Sequence, residues 1–246
     1  MPTASRELDR PAFYALRTGG WRDLVTILHP PYTAWHLSYV ALGAAAAPTV
    51  HADRLVATLG AFFLAVGVSA HALDELAGRP LKTSLKRRSL IALAVGGLAG
   101  AVAIGVAGLV VVSPLLAPLV AAGAFLVLAY NLELAGGRFH TNTWFAVAWG
   151  GFPAFTGYFV NALTIRPAGI LVAAGCALLS AAQRRLSTPV RELRRNTVAV
   201  TGEQRLGDGQ VRELTRARLM EPLEGALSAT WPALVLLAAG LVAVRL

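Results

Sequence analysis

Hydrophobic residues in this chain come in long blocks that are separated by short polar segments. Seven blocks have membrane-spanning length, at residues 33–50, 55–74, 89–112, 114–132, 143–163, 167–183 and 222–245. Because a helix of about 20 apolar residues crosses the hydrocarbon core of a bilayer, the pattern predicts an all-α, polytopic transmembrane bundle of about seven spans. "SPLLAP" separates the third and fourth blocks, where either a helical hairpin or one kinked helix fits.

The pattern divides the chain into an arm at residues 1–32 and a single transmembrane helical domain at residues 33–246. The arm has no apolar core of signal-peptide type, so we expect no cleaved leader. Its segment "FYALRTGGWRDLVTILHPP" mixes aromatic, aliphatic and charged residues, which favours an interfacial helix, although an irregular arm also fits. The question of a lid at residues 196–221 stays open.

Basic residues are distributed very unevenly between the two sides of the predicted bundle. With seven spans, 19 of the 22 Lys and Arg lie on the side of the N-terminus, and the other three are Arg54, Arg166 and Arg245. By the positive-inside rule, the N-terminus and the two most polar loops, at about 75–88 and 184–221, are predicted to be cytoplasmic. All acidic residues except Asp53 lie on the same side.

The amino-acid composition is typical of a membrane protein and argues against several other classes of protein. Only 14% of the residues are charged, whereas soluble domains usually carry about 25%. Topology explains most of the formal net charge of +9, so we expect no nucleic-acid partner. The single cysteine, Cys176, excludes a disulfide framework and a thiol metal site.

The end of the second block, "SAHALDELAGRPL", carries the most informative polar residues. His71, Asp74 and Glu75 have helical i, i+3 and i+4 spacing, which places them on one face. Two carboxylates with an imidazole suit a divalent metal or acid–base chemistry, and ionisable residues at membrane depth point to function. A polar helix end that pairs with Arg79 and Lys82 is the alternative.

Cations near this acidic turn predict the binding of phosphate groups. Arg79 and Lys82 follow the turn directly, and Arg184 and Arg191 end the sixth block together with Glu192. Guanidinium groups bind phosphate in a two-pronged geometry. Lys86, Arg87 and Arg88 are better explained as membrane anchors.

Two further regions offer candidate residues on the same side or within the bundle. Asn131 lies in "YNLELAGGRFHTNTW", which fits either a second polar rim or a turn that is capped by Thr141, Asn142 or Thr143. Tyr158 belongs to an aromatic-rich stretch that fits a lining for an apolar chain or simple core packing. His36 is interpreted as a packed, hydrogen-bonded residue.

On these residues, the chain resembles the UbiA-type intramembrane prenyltransferase superfamily over about residues 25–200. Members carry N-D-x-x-D-x-x-x-D at the cytoplasmic end of the second helix, then R-P-L, and a second aspartate-rich motif after the sixth helix. Here "AHALDELAGRPL" ends the second block, and Arg79-Pro80-Leu81 stands where R-P-L is expected. Each register of the first motif retains one carboxylate, Asp74 or Glu75. The region of the second motif offers Glu192, Glu203 and Asp208, at spacings unlike D-x-x-x-D. The chain is thus similar to a divergent member.

The resemblance implies an enzyme that acts on an isoprenoid or long-chain lipid diphosphate by metal-assisted prenyl transfer at the cytoplasmic face. It implies Mg²⁺ as cofactor, with His71, Asp74, Glu75 and Glu192 as ligands. The phosphate and substrate contacts would come from Arg79, Lys82, Arg184, Arg191, Asn131 and Tyr158. The alternatives are lipid cyclisation or hydrolysis by the same fold, and a non-catalytic lipid binder or small transporter.

Overall fold

The computed structural model describes residues 10–246, so the first nine residues of the predicted arm lie outside the description. The arm continues as a short helix, α1 (Trp21–Ile27), whose Trp21 and Leu24 are exposed. An exposed apolar edge of this kind suits the surface of a bilayer.

Long helices make up nearly all of the described chain. In chain order the elements are α1, α2 (Pro30–Ala45), α3 (Ala52–Phe62), a π-helical segment (Phe63–Ala70), α4 (His71–Gly78), α5 (Arg87–Val111), a 3₁₀ turn (Pro114–Leu116), α6 (Ala117–Asn131), a distorted turn (Leu134–Gly137), α7 (Asn142–Ala146), a second π-helical segment (Val147–Gly151), α8 (Phe152–Ala162), α9 (Pro167–Arg195), β1 (Glu203–Arg205), β2 (Val211–Glu213) and α10 (Arg216–Arg245). The all-α prediction is confirmed. Each of the seven apolar blocks lies mostly in helical segments, although residues 46–50 of the first block follow the end of α2.

Five helical stretches in residues 10–246 are long and apolar enough to cross a membrane. They are Ala52–Gly78, Arg87–Val111, Pro114–Asn131, Pro167–Arg195 and Arg216–Arg245. The predicted spans 33–50 and 143–163 correspond to α2 and to the helix formed by α7, the second π segment and α8, and neither meets these criteria. α2 has only 16 residues, and both segments are largely buried within the bundle.

The centre of the bundle depends on direct backbone contact between α2 and α8. A Cβ atom on Gly43 would lie 1.9 Å from the carbonyl oxygen of Ala154, and one on Gly157 would lie 2.1 Å from that of Val40. Small residues let helices approach this closely, and the packing energy of the contact replaces the hydrophobic effect within a membrane. Trp35 and Tyr39 of α2 are almost fully buried beside this contact.

Two π-helical segments contribute residues to one buried hydrophobic cluster, which contains Val66 of the first segment and Trp149 of the second. The first joins α3 to α4, and the second joins α7 to α8. His36 of α2 donates a hydrogen bond from Nδ1 to the carbonyl oxygen of Trp149 in the second segment, at 2.7 Å. The interpretation of His36 as a buried, hydrogen-bonded residue is confirmed. Such π-helical insertions often occur at functional sites.

Residues 197–215 connect α9 to α10, and most of them are exposed. β1 and β2 pair as an antiparallel hairpin whose residues are all exposed, with Glu203 opposite Glu213. The hairpin is absent from the lining of the polar cavity that is described below.

Substitution of Gly157 by alanine is expected to destabilise the bundle, because the new methyl group meets the backbone of α2. Overpacking costs about 1–3 kcal/mol, so the Tm in detergent is expected to fall by several degrees. Gly225→Ala in α10 is the matched control, since its Cβ meets nothing within 4 Å. Equal Tm values for the two variants would contradict the central contact.

Candidate functional site

A polar cavity of about 780 Å³ opens where α4, α6 and α9 end at the same face of the bundle. Its lining comprises the residues His36, Val66, Ala70, His71, Asp74, Ala77, Gly78, Arg79, Pro80, Lys82, Tyr130, Asn131, His140, Phe145, Trp149, Arg184, Thr188, Arg191, Glu192, Arg195 and Asn196. Five of these side chains are Lys or Arg and two are carboxylates, so the cavity carries an excess of positive charge. The α2, α6 and π-segment residues form its apolar and aromatic floor.

One face of α9 supplies most of the positive charge. Arg184, Thr188, Arg191 and Arg195 follow one another at intervals of four, three and four residues, and all line the cavity. This spacing keeps them on one side of an α-helix. We call these four residues the arginine face.

Three contacts fix the guanidinium group of Arg184. Its Nε donates to Oδ1 of Asn142 at 2.6 Å, and its Nη1 donates to the hydroxyl oxygen of Tyr130 at 2.7 Å. The group also lies over the ring of Phe145, 4.7 Å from the centroid. An arginine that is held in this way loses little conformational entropy when it binds an anion.

Asp74 is the carboxylate that α4 directs toward the arginine face. It is half-buried and has no hydrogen-bond partner within residues 10–246. It interacts electrostatically with His140, Arg191, Arg195 and Arg184. Asp74 is therefore available to accept a hydrogen bond or a proton from a bound molecule.

Glu75 has a different environment from Asp74, although the two are adjacent in sequence. It is fully buried and accepts hydrogen bonds from the backbone N–H of Leu81 at 3.0 Å and of Thr83 at 2.9 Å. The Thr83 hydroxyl donates to the same carboxylate at 2.8 Å. Both oxygens of Glu75 are thus occupied by the 79–85 loop, and Glu75 does not line the cavity.

A second buried acid holds the other end of the 79–85 loop. Asp23 of α1 accepts hydrogen bonds from the backbone N–H of Ser84 at 2.9 Å, from the Ser84 hydroxyl, and from the N–H of Gly19. Burial alone would raise the pKa of Asp23, but these hydrogen bonds outweigh burial and lower it. Asp23 is therefore a carboxylate at neutral pH and ties the arm to the loop.

The 79–85 loop has a strained conformation that these contacts maintain. Arg79 and Lys82 have φ angles of 51° and 54°, in the left-handed region that side chains other than glycine rarely adopt. Arg79 closes the loop from within, because its Nη1 donates to the carbonyl oxygens of Thr83 at 3.2 Å and Leu85 at 2.7 Å. The loop thereby places Arg79 and Lys82 at the rim of the cavity.

Two histidines stack beneath this rim. The rings of His71 and His29 lie 4.0 Å apart between centroids, and His29 also hydrogen-bonds through Nδ1 to the Tyr14 hydroxyl at 2.7 Å. The His71 Nδ1 donates to the carbonyl oxygen of Gly67 at 3.2 Å. Burial and the neighbouring His71 lower the pKa of His29 well below its usual value, so His29 is neutral at pH 7.

The donor set does not fit a preformed magnesium site. Mg²⁺ prefers oxygen ligands in octahedral geometry, yet both oxygens of Glu75 are occupied, and His71 offers only nitrogen. Asp74 and Glu192 remain, and no group of three or more His, Cys, Asp or Glu within the described residues is placed to hold a metal ion.

An apolar groove of about 130 Å³ adjoins the polar cavity. It runs between α3, α5, α6 and α8, and small or aliphatic residues such as Ala61, Ala65 and Gly105 line it. Val66 and Trp149 line both the groove and the cavity. These two residues, one from each π-helical segment, are buried and form the boundary between a charged chamber and an apolar one, which we call the junction.

The sequence-predicted site residues are largely brought together. His71, Asp74, Arg79, Lys82, Asn131, Arg184, Arg191 and Glu192 all line the polar cavity. Glu75 is instead part of the loop scaffold. Tyr158 is buried against Gly169 and lies outside the residues that line either chamber.

Some cavity residues are not among the predicted site residues, although the sequence contains a signal for part of them. Arg195 and Thr188 follow from the four–three–four spacing that starts at Arg184. Tyr130 and His140 stack on each other with 4.4 Å between ring centroids, a contact across a turn that no local pattern indicates. Thr141 caps α7 as predicted for the alternative of a capped turn, while Asn142 binds Arg184.

No protein-family model matches the chain, and no curated protein or solved structure matches it. The likeness to UbiA-type enzymes accordingly rests on motif and layout.

Replacement of Glu75 by alanine is expected to release the 79–85 loop, because the buried N–H groups of Leu81 and Thr83 lose their acceptor. Each unsatisfied donor costs about 1–3 kcal/mol. Hydrogen–deuterium exchange should therefore rise at least tenfold at these two amides, since 1.4 kcal/mol corresponds to about a factor of ten. Glu203→Ala in the exposed hairpin is the control, and unchanged exchange in Glu75→Ala would contradict the structural role of Glu75.

Proposed function

We propose that this protein is an integral-membrane enzyme that acts on an isoprenoid or other long-chain lipid diphosphate and transfers the chain in the manner of UbiA-like prenyltransferases. In this proposal all seven long helices cross the bilayer. The polar cavity faces the cytoplasm, as the distribution of Lys and Arg favours.

The observation that carries the proposal is the junction at Val66 and Trp149. A molecule with a charged head and a hydrocarbon tail needs a cationic chamber next to an apolar chamber. The polar cavity and the apolar groove provide these two environments, and they share both residues. Ligand sites in membrane bundles commonly combine an apolar lining with a few converging polar groups.

Each part of the site has a role in this reaction. Arg184, Arg191 and Lys82 hold the diphosphate, and the aromatic floor at Tyr130, Phe145 and Trp149 faces the first carbons of the chain, where a developing allylic cation is stabilised by ring faces. The 79–85 loop closes the rim.

The chemical step breaks the bond between C1 of the isoprenoid and the diphosphate oxygen. The electron pair of that bond leaves with the diphosphate, whose charge the cations stabilise. An electron pair of the acceptor forms the new bond to C1, and the proton that the acceptor loses passes to Asp74. Asp74 is suited to this role because it lacks a hydrogen-bond partner within residues 10–246.

The activity test uses the purified protein in nanodiscs with isoprenyl diphosphates of increasing length and an extract of membrane lipids as the source of acceptor. Release of diphosphate together with a prenylated product supports the proposal. Diphosphate release without a product would contradict transfer and favour hydrolysis or cyclisation. Binding without release would identify a non-catalytic lipid binder, and the absence of both would contradict the whole proposal.

A bulky side chain in the apolar groove should weaken the binding of the hydrocarbon tail and leave the binding of the diphosphate group unchanged. Ala65→Phe places a ring in the apolar groove, so long-chain diphosphates should bind at least tenfold more weakly, since loss of one or two buried methylene contacts costs about 1.5 kcal/mol. Binding of inorganic diphosphate should stay unchanged. Ala99→Phe on the exposed face of α5 is the matched control. Equal loss for both ligands would contradict the division between the two chambers.

Asp74→Asn should separate binding from turnover. The amide cannot take the acceptor proton, so turnover should fall by about 10²-fold or more, while the affinity for the diphosphate stays the same or increases. The matched control is Asp208→Asn, in the exposed hairpin turn. Wild-type turnover in Asp74→Asn would show that another group accepts the proton.

A further inference from the structure

We infer that the arginine face of α9, together with Lys82, binds the diphosphate directly, without a bridging metal ion. This inference rests on the proposed function for the identity of the ligand. It differs from the cofactor prediction, which assigned the charge of the diphosphate to Mg²⁺.

The first argument is the balance of charge in the cavity. Arg79, Lys82 and the three arginines of the arginine face line the cavity against Asp74 and Glu192. A carboxylate-poor and cation-rich lining attracts a multiply charged anion by itself. A hydrated divalent cation would meet the repulsion of this lining instead.

The second argument is the supply of unused donors. Arg184 uses Nε and Nη1, Arg191 uses Nη2 toward the Thr188 hydroxyl at 3.1 Å, and Arg195 uses Nε toward the Pro11 carbonyl oxygen at 3.2 Å. The remaining guanidinium nitrogens of these three residues have no hydrogen-bond partner within residues 10–246. Each arginine is therefore anchored by one part of its fork and keeps N–H groups for an anion.

The third argument is the order of the cations along the cavity. Arg184 contacts Tyr130 and Phe145, and the Tyr130 ring packs against Trp149 at 5.4 Å between centroids. Arg184 is thus next to the junction with the apolar groove. Arg191 and Arg195 lie farther along the helix, by about 10 and 16 Å at 1.5 Å per residue. Arg184 therefore contacts the phosphate that is bonded to the chain, and the other two contact the terminal phosphate.

Two other arginines of α9, Arg185 and Arg194, do not line the cavity and have different roles from the arginine face. Arg194 forms an ion pair with Glu224 of α10, with Nη2 donating to Oε2 at 2.8 Å, and so holds two helices together. Arg185 is exposed and does not line the cavity. Arg185 and Arg194 do not take part in the cavity because their positions on α9 lie outside the side of the helix that carries the arginine face.

The test is isothermal titration calorimetry of the full-length protein in neutral-lipid nanodiscs with inorganic diphosphate, once with EDTA and once with MgCl₂. Binding with EDTA that is as tight as with MgCl₂, or tighter, supports the inference. Binding that requires MgCl₂ would overturn it and leave the proposed function standing. No binding in either buffer would overturn both.

Variants assign the binding to the arginine face. Arg191→Gln should weaken diphosphate binding in EDTA about tenfold or more, which corresponds to the loss of one charge-assisted contact. Arg184→Lys keeps the charge but loses the fork and should also weaken binding. Arg185→Gln is the matched control, and its Tm and affinity should equal those of the wild type. Equal affinities for all three variants would overturn the inference.

A comparison of two lipid compositions shows whether the cavity binds diphosphate or the headgroups of membrane phospholipids. In nanodiscs that contain phosphatidylglycerol, the affinity for diphosphate should stay within about threefold of its value in neutral discs. Any general electrostatic effect of the anionic lipid should change the affinity of the Arg185→Gln control to the same extent. If anionic lipid abolishes binding, the cavity takes phospholipid headgroups, and diphosphate is not its ligand.

Discussion

Polar groups inside an apolar bundle must find partners within the protein, and this constraint determines the whole polar end of the molecule. Glu75 has no solvent exposure, and both of its oxygens accept hydrogen bonds from the 79–85 loop. Asp23 holds the other end of that loop through Ser84. These two acids satisfy the loop backbone. As a result Lys82 lies at the rim of the cavity. Asp74 faces the cavity and has no hydrogen-bond partner within the described residues.

The junction between the polar cavity and the apolar groove depends on the packing of the central helices. Gly43 and Gly157 bring α2 and α8 into backbone contact. The π-helical segments widen two helices beside this contact, and their residues Val66 and Trp149 border both chambers. Close helix packing on one side and π-helical segments on the other therefore border the two chambers.

Much of this architecture follows from local patterns, and the rest depends on contacts that are distant in sequence. Hydrophobic blocks predicted every long helix, because helix length and apolar content are local properties. Helical spacing also grouped His71 with Asp74, but it did not separate Asp74 from Glu75. Their roles differ because α4 turns one carboxylate toward α9 and the other toward the 79–85 loop. The anchoring of Arg184 by Tyr130 joins residues 54 positions apart, which no pattern within one helix indicates.

The most direct test is a structure of the protein with a non-hydrolysable isoprenyl thiodiphosphate, determined by cryo-electron microscopy in nanodiscs without added metal. The account predicts the thiodiphosphate between Arg184 and Arg191, and the hydrocarbon chain between Val66 and Trp149 in the apolar groove. A chain that lies on the outer, lipid-facing surface, or a thiodiphosphate outside the polar cavity, would contradict the account.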